Sequence, residues 1–131
     1  MGEVRYLLDT HTFLWWAFDS PELSSVARAL LAEPANEIFV SSASAWEIAT
    51  KHRLGKLPEA EVLLQDLPGW VETAGFAGLP IDLSHAQRAG GFAHPHRDPF
   101  DRMLAAQSLV EQLPVIGRDE IIREFGVQLI W

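Results

Sequence analysis

The chain has 131 residues, 48% of them hydrophobic and 21% charged, the size of one domain with enough apolar material for a core. Ten Lys and Arg stand against eighteen Asp and Glu, for a net charge of −8, the wrong sign for a protein that coats nucleic acid with a broad basic face. There are 0 cysteines, which excludes disulfides, thiolate zinc sites and cysteine nucleophiles; no apolar run approaches the roughly 20 residues of a membrane span, and Met1 to Arg5 is too short and too acidic for a secretion signal, so a single cytoplasmic domain over residues 1–131 is expected.

A buried strand is predicted over residues 4–8, bounded by Asp9-Thr10. Helices follow over 12–18, ahead of Asp19-Ser20-Pro21, and over 24–33, stopped by Pro34. A strand over 37–40 leads to a helix over 44–54, with Gly55 placed to close it. Residues 59–74 read as helix interrupted at Pro68-Gly69. A short strand is predicted over 79–83 and a short helix over 84–89, ending at Gly90-Gly91. A loop rich in His and Arg covers 92–98. The strongest helix runs over 99–112, with Phe100, Met103, Leu104, Ala106 and Val110 on its apolar face. A strand over 114–116, a helix over 120–125 and a strand over 127–130 complete the chain.

Short apolar strands separated by helices predict an α/β fold with a parallel sheet covered on both faces. Ligands of such sheets bind beyond the carboxyl ends of the strands, and acids collect there. Asp9 follows the first strand, Glu47 lies early in the helix after the second, Asp98 and Asp101 open the long helix, and Asp119 follows the 114–116 strand. Each has a local alternative. Asp9, Asp98 and Asp119 suit helix N-caps, with Pro99 at a first helical position. Ser44-Ala45-Trp46-Glu47 fits a capping box, and Glu47 is spaced to pair with Lys51. Capping explains each acid singly but not a set of them without a lysine at the strand ends. Gathered carboxylates repel one another unless a cation neutralises them, and hard oxygen ligands suit Mg²⁺ or Mn²⁺.

Five segments carry a resemblance: Leu7-Leu8-Asp9-Thr10-His11, Ser44-Ala45-Trp46-Glu47-Ile48-Ala49, Lys51 with Gly55-Lys56-Leu57, His96-Arg97-Asp98-Pro99-Phe100-Asp101-Arg102-Met103-Leu104-Ala105-Ala106-Gln107, and Arg118-Asp119. Together, and in this order, they resemble the PIN domain and more closely the VapC-type toxins of bacterial toxin–antitoxin pairs. The resemblance implies a three-layer α/β/α sandwich with a short central parallel sheet. It also implies a Mg²⁺- or Mn²⁺-dependent endoribonuclease whose four acids fall on Asp9, Glu47, Asp101 and Asp119. Asp101 matches the third acid because Leu104-Ala105-Ala106 follows it; Asp98 is then an outer partner of the metal or a cap. Two positions depart from the family: Gly117 stands where a hydroxyl residue is common, and His11 follows Asp-Thr where Asn or Ser is common.

The implied reaction is hydrolysis of RNA phosphodiester bonds, with one metal ion or two. Arg97, Arg102 and Arg118 flank these acids and are candidate phosphate contacts, each with pairing to a neighbouring surface acid as the alternative, which is preferred for Arg118; His11 is a candidate substrate contact. His94-Pro95-His96 is read as a polar loop, lacking a third nitrogen or thiolate ligand at suitable spacing. Phe13, Leu14, Trp15, Trp16 and Phe18 are too many rings and branches for one buried stripe, so part of them is expected to form a patch for a partner. Trp46 and Trp70 are assigned to core or groove. The family further implies a cognate antitoxin and a homodimer, with no membrane. Competing readings are an inactive PIN-like binding module and a receiver-type phosphoacceptor domain, against which stands the lack of an acidic pair after the first strand. Setting the five pocket acids aside leaves a balance of only −3, an ordinary surface.

Overall fold

The computed structural model describes residues 4–131; the reading of the first three residues lies outside them. Five strands form, β1 (Arg5–Leu8), β2 (Glu37–Ser41), β3 (Ala77–Leu79), β4 (Val115–Ile116) and β5 (Leu129–Ile130). All pair in parallel, in the order β3-β2-β1-β4-β5. Successive side chains of a strand point to opposite faces, and the two cores follow from that alternation. Tyr6 and Leu8 of β1 join Ile38, Val40 and Ile116 in one cluster. Leu7 and Val115 belong to the other.

The first face is covered by α1 (Thr10–Ala17), α2 (Ser25–Ala32), α3 (Ser42–Arg53), α4 (Glu61–Leu64) and α5 (Leu67–Thr73). They contribute Phe13, Ala27, Ile48, Leu63 and Leu67 to that cluster. The second face is covered by α7 (Pro99–Glu111) and α8 (Glu120–Arg123), through Leu104, Ala105 and Ile122. Helix α6 (Leu83–Gly91) packs on α7. The result is the expected three-layer α/β/α sandwich. Each Leu-sized side chain fully buried here stabilises the fold by about 1.5–3 kcal/mol. Among the described residues, no helix is long and apolar enough to cross a membrane.

The strand order places a topological switch between β1 and β4. From β1 the chain moves outward to β2 and β3, then returns to the other side for β4 and β5. Ligands of open parallel sheets bind at that reversal. A receiver-type domain has the order 2-1-3-4-5, so this topology excludes the phosphoacceptor reading.

Several predicted boundaries move, each for a local reason. Helix α1 starts at Thr10 rather than Thr12, because the Asp9 carbonyl accepts from the Phe13 N–H at 3.1 Å. Helix α3 starts at Ser42: the Ser41 hydroxyl caps it by accepting from the Ala43 N–H at 2.9 Å. Ser44 is therefore inside the helix, and the capping box expected between Ser44 and Glu47 does not form. Gly55, at φ +75°, closes α3 as expected; its N–H donates to His52 and that of Lys56 to Lys51, the two bonds of a Schellman motif.

Pro68-Gly69 does not interrupt the 59–74 stretch. The break comes earlier, at Gln65-Asp66, and Pro68 sits in the first turn of α5, where its missing N–H costs nothing. Asp66 caps that turn by accepting from the Gly69 N–H at 3.1 Å, and a Cβ on Gly69 would meet the Asp66 carboxylate at 2.2 Å. Strand β3 ends at Leu79 because Pro80 cannot continue a ladder, and Asp82 caps α6 instead. Helix α6 runs through Gly90-Gly91, which were expected to stop it.

Candidate metal centre

The four acids come from four different elements. Asp9 directly follows β1, and its N–H donates to the Ile116 carbonyl at 3.1 Å. The Thr12 hydroxyl donates to the same oxygen at 2.9 Å, pinning the start of α1 to β4. The carboxylate of Asp9 makes no side-chain cap bond, so capping does not account for it. The residue is 5% exposed. Burial first, then the charges of Asp101, Asp119 and Glu47, push its pKa up to about 7, against the Thr10 N–H, which favours the charged form.

Gly117 explains why Asp9 fits. A Cβ there would lie 2.8 Å from the Asp9 Cβ and 3.0 Å from its Oδ2. The glycine that stands where the family commonly has a hydroxyl residue makes room for the first acid.

Glu47 is buried on α3, which is tied to α1 by the 2.8 Å hydrogen bond between the Ser44 and Thr10 hydroxyls. As its spacing predicted, it pairs with Lys51, at 2.5 Å. Burial opposes the charge on Lys51, but the bond to Glu47 and the charges of Glu47, Asp98 and Asp101 outweigh it and hold the pKa above the ordinary value.

Asp98 and Asp101 divide their work at the start of α7. Asp98 Oδ1 accepts from the N–H groups of Phe100 and Asp101 at 2.9 and 3.2 Å; it is a cap. Asp101 Oδ2 lies 2.7 Å from His96 Nε2. Burial raises the Asp101 pKa, the His96 bond opposes that, and Asp98, Asp119 and Glu47 add to the rise. Asp119, exposed at the start of α8, accepts from the Ile121 N–H at 3.3 Å.

The remaining candidates separate. Arg102 donates from all three guanidinium nitrogens to the carbonyls of Ala89, Gly90, Phe92, His94 and His96. An arginine has five N–H donors, and each has an acceptor here. Its expected role as a phosphate contact gives way to bracing the loop that carries His96. Arg97 is exposed and makes no ion pair among the described residues. His11 is exposed, 5.7 Å from the ring of Trp15. With Trp15, Arg118, Asp9 and Asp119 it lines a recess beyond β1 and β4.

The loop histidines differ in what they touch. His94 Nε2 meets Glu124 at 2.9 Å, and its Nδ1 accepts from the His96 N–H; this one is polar-loop structure, as expected. The His96–Asp101 bond has no regular spacing to announce it, and sequence reasoning missed it. The aromatic run of α1 resolves by depth: Phe13 and Leu14 are buried, Trp16 lies 4.9 Å from Phe76, and Phe18 is exposed. Trp46 is not core but 57% exposed, edge-on to Phe100 at 4.8 Å.

The donor set fits a hard divalent cation. The charges of Asp101, Asp119 and Glu47 all reach Asp9, with one lysine beside Glu47, and burial first, then those charges, take away the ordinary acidity of Asp9. These four carboxylates do not form a closed cage. Among the described residues, the acid and histidine atoms that all lie within 4.8 Å are those of Asp82, His85 and Glu111. That cluster is a cap: His85 Nδ1 accepts from the Asp82 N–H at 3.1 Å and Nε2 faces Glu111 at 2.8 Å, so neither ring nitrogen keeps a free lone pair.

Similar proteins share this frame. Residues here are 41% identical over 66 positions to Ribonuclease VapC16 of Mycobacterium tuberculosis, covering 49% of this chain and 47% of that protein; the match thus spans about half of each. Among solved structures, VapBC2 from Rickettsia felis, bound to a DNA fragment from its promoter, superposes with TM-score 0.66 at 13% identity, over 97% of this chain and 98% of that one. FitAcB from Neisseria gonorrhoeae gives 0.67 at 21% identity, over 96% of each. A toxin–antitoxin complex from Klebsiella pneumoniae gives 0.57 at 17% identity, over 88% and 87%. The family model of the PIN domain matches residues 6–128, nearly the whole chain with all four acids inside it, and the chain belongs to the PIN domain family.

Proposed function

We propose that this chain is a VapC-type toxin, an endoribonuclease that hydrolyses RNA phosphodiester bonds with Mg²⁺ or Mn²⁺ and is held in check by a cognate antitoxin. The observation that carries the reading is the carboxylate of Asp9: buried, uncapped, and facing three other acids at the switch point. A fold does not keep such a group for stability, because an unpaired buried acid is costly; it keeps it for a cation. The similarity to a ribonuclease over half its length, and to a toxin–antitoxin complex in fold, supports the same reading.

In this reading Asp9, Asp101 and Asp119 hold the ion directly or through water, and Glu47 holds it or orients the attacking water. Asp98 acts from outside by fixing the first turn of α7. When bound, the ion activates water and neutralises charge on the phosphate. His96 and Lys51 keep Asp101 and Glu47 in place. Arg97 and His11 are left as substrate contacts at the exposed edge. The antitoxin covers this acidic edge, and the chain works as a homodimer in the cytoplasm.

The test is cleavage of an RNA panel by purified, antitoxin-free protein. Cleavage is expected with Mg²⁺ or Mn²⁺, is abolished by EDTA, and falls about 100-fold or more in Asp9→Asn. Cleavage that persists in EDTA, or is undiminished in Asp9→Asn, overturns the metal mechanism. No cleavage across the panel favours an inactive binding module.

A further inference from the structure

We infer that Arg118 is the residue that takes the RNA phosphate at the carboxylate site, held ready for it by Trp15, Trp131 and Glu22. The inference rests on the nuclease reading above and names a substrate contact within it.

The recess beyond β1 and β4 is lined by Asp9, His11, Trp15, Arg118 and Asp119, and Arg118 is the only lysine or arginine among them. An anionic substrate entering past two carboxylates needs positive charge from the protein. Two other cations near the site are committed: Lys51 is tied to Glu47, and every donor of Arg102 is used on the loop. Arg97 is exposed on that loop without a brace.

Arg118 is braced on two sides. Its guanidinium carbon lies 4.5 Å from the centre of the Trp15 ring and 5.9 Å from that of Trp131. The two indoles meet edge to face at 5.6 Å. Nη2 donates to Glu22 Oε2 at 2.7 Å, while Nε and Nη1 find no protein acceptor among the described residues. The side chain remains 49% exposed. An ion pair this open adds little stability, which makes two tryptophans an excessive support if pairing is the whole purpose. A held guanidinium has less rotamer freedom to lose on binding, and its planar fork matches two phosphate oxygens.

The experiment measures cleavage of one single-stranded RNA oligonucleotide by the full chain in Mn²⁺, with KM and kcat at several salt concentrations. Arg118→Ala is expected to raise KM about tenfold with a smaller change in kcat, and to flatten the dependence of log KM on log salt by about 0.7. Arg118→Lys keeps the salt slope and recovers part of the KM, since it restores charge but not the fork. Trp15→Leu raises KM about threefold with the salt slope intact, because the charge remains but is no longer held. Wild-type KM and slope in Arg118→Ala overturn the inference, as does a lower melting temperature in that variant with an unchanged slope, which marks a purely structural residue. A wild-type chain that cleaves nothing in Mg²⁺ or Mn²⁺ overturns the nuclease reading itself.

Discussion

Asp9 and Gly117 occupy one space at the end of β1, and neither is understandable alone. The acid was legible in the sequence because it ends an apolar run. The role of the glycine was not, since nothing in a linear chain says that residue 117 lies against residue 9. A hydroxyl at 117 is common in the family, so restoring it looks like a gain. The 2.8 Å approach of a Cβ to the Asp9 Cβ says otherwise. Gly117→Ser is expected to destabilise the chain by about 1–3 kcal/mol through overpacking, and to weaken metal binding by turning Asp9 out of its place. Urea unfolding and the shift of melting temperature with Mn²⁺ check both. Gly117→Ala, which adds the Cβ alone, is expected to behave alike; wild-type stability in that variant refutes the packing argument.

At the scale of the element, α7 was the helix most readable in advance, and Asp98 with Pro99 marked its start correctly. What the periodicity did not carry is the loop before it. Arg102 points back from the first turns of α7 and gathers five carbonyls of residues 89–96. Backbone acceptors have no letter in a sequence, so an arginine among acids reads as a phosphate ligand. Arg102→Lys is expected to destabilise the chain by about 2–4 kcal/mol, because three rotatable donors cannot replace a five-donor fork. Hydrogen exchange is expected to speed up through residues 90–97. The released His96 would cease to hold Asp101, so metal affinity falls with it. Unchanged exchange in that loop would show that the brace is dispensable.

For the whole molecule, the net charge of −8 is concentrated where it can be used, and it makes stability depend on pH in an unusual direction. The Asp9 pKa rises from 3.8 to about 7 on folding, so between those values the folded chain holds the extra proton. Stability from this group is complete below about pH 4 and is lost as pH rises towards about 7. Asp101, also raised, acts in the same direction. Without metal, wild type is therefore expected to lose on the order of a few kcal/mol relative to Asp9→Asn across that window. If the site takes Mg²⁺ or Mn²⁺ as proposed, the ion is expected to reverse the trend, because ligands bind better deprotonated and a bound ion stabilises the fold by mass action. Denaturant unfolding at pH 5 and pH 8, with EDTA and with Mn²⁺, measures this; parallel pH profiles for wild type and Asp9→Asn would show that Asp9 is not strained.

The sequence by itself determined the layer architecture and which acids stand at the ends of strands and the starts of helices. Both depend on local pattern: apolar runs of strand length, helix starts, and carboxylates at the ends of strands. It also determined that Glu47 would pair with Lys51, one helical turn away. Only the tertiary structure decided which acid caps and which is left bare, that Gly117 clears the site, and that Arg102 is consumed by the loop while Arg118 is held open between two tryptophans. Those outcomes depend on contacts such as residue 9 with 117 and residue 118 with 15 and 131. They exist only once a parallel sheet has brought distant strand ends to one edge, where burial and neighbouring charge set what each side chain can do.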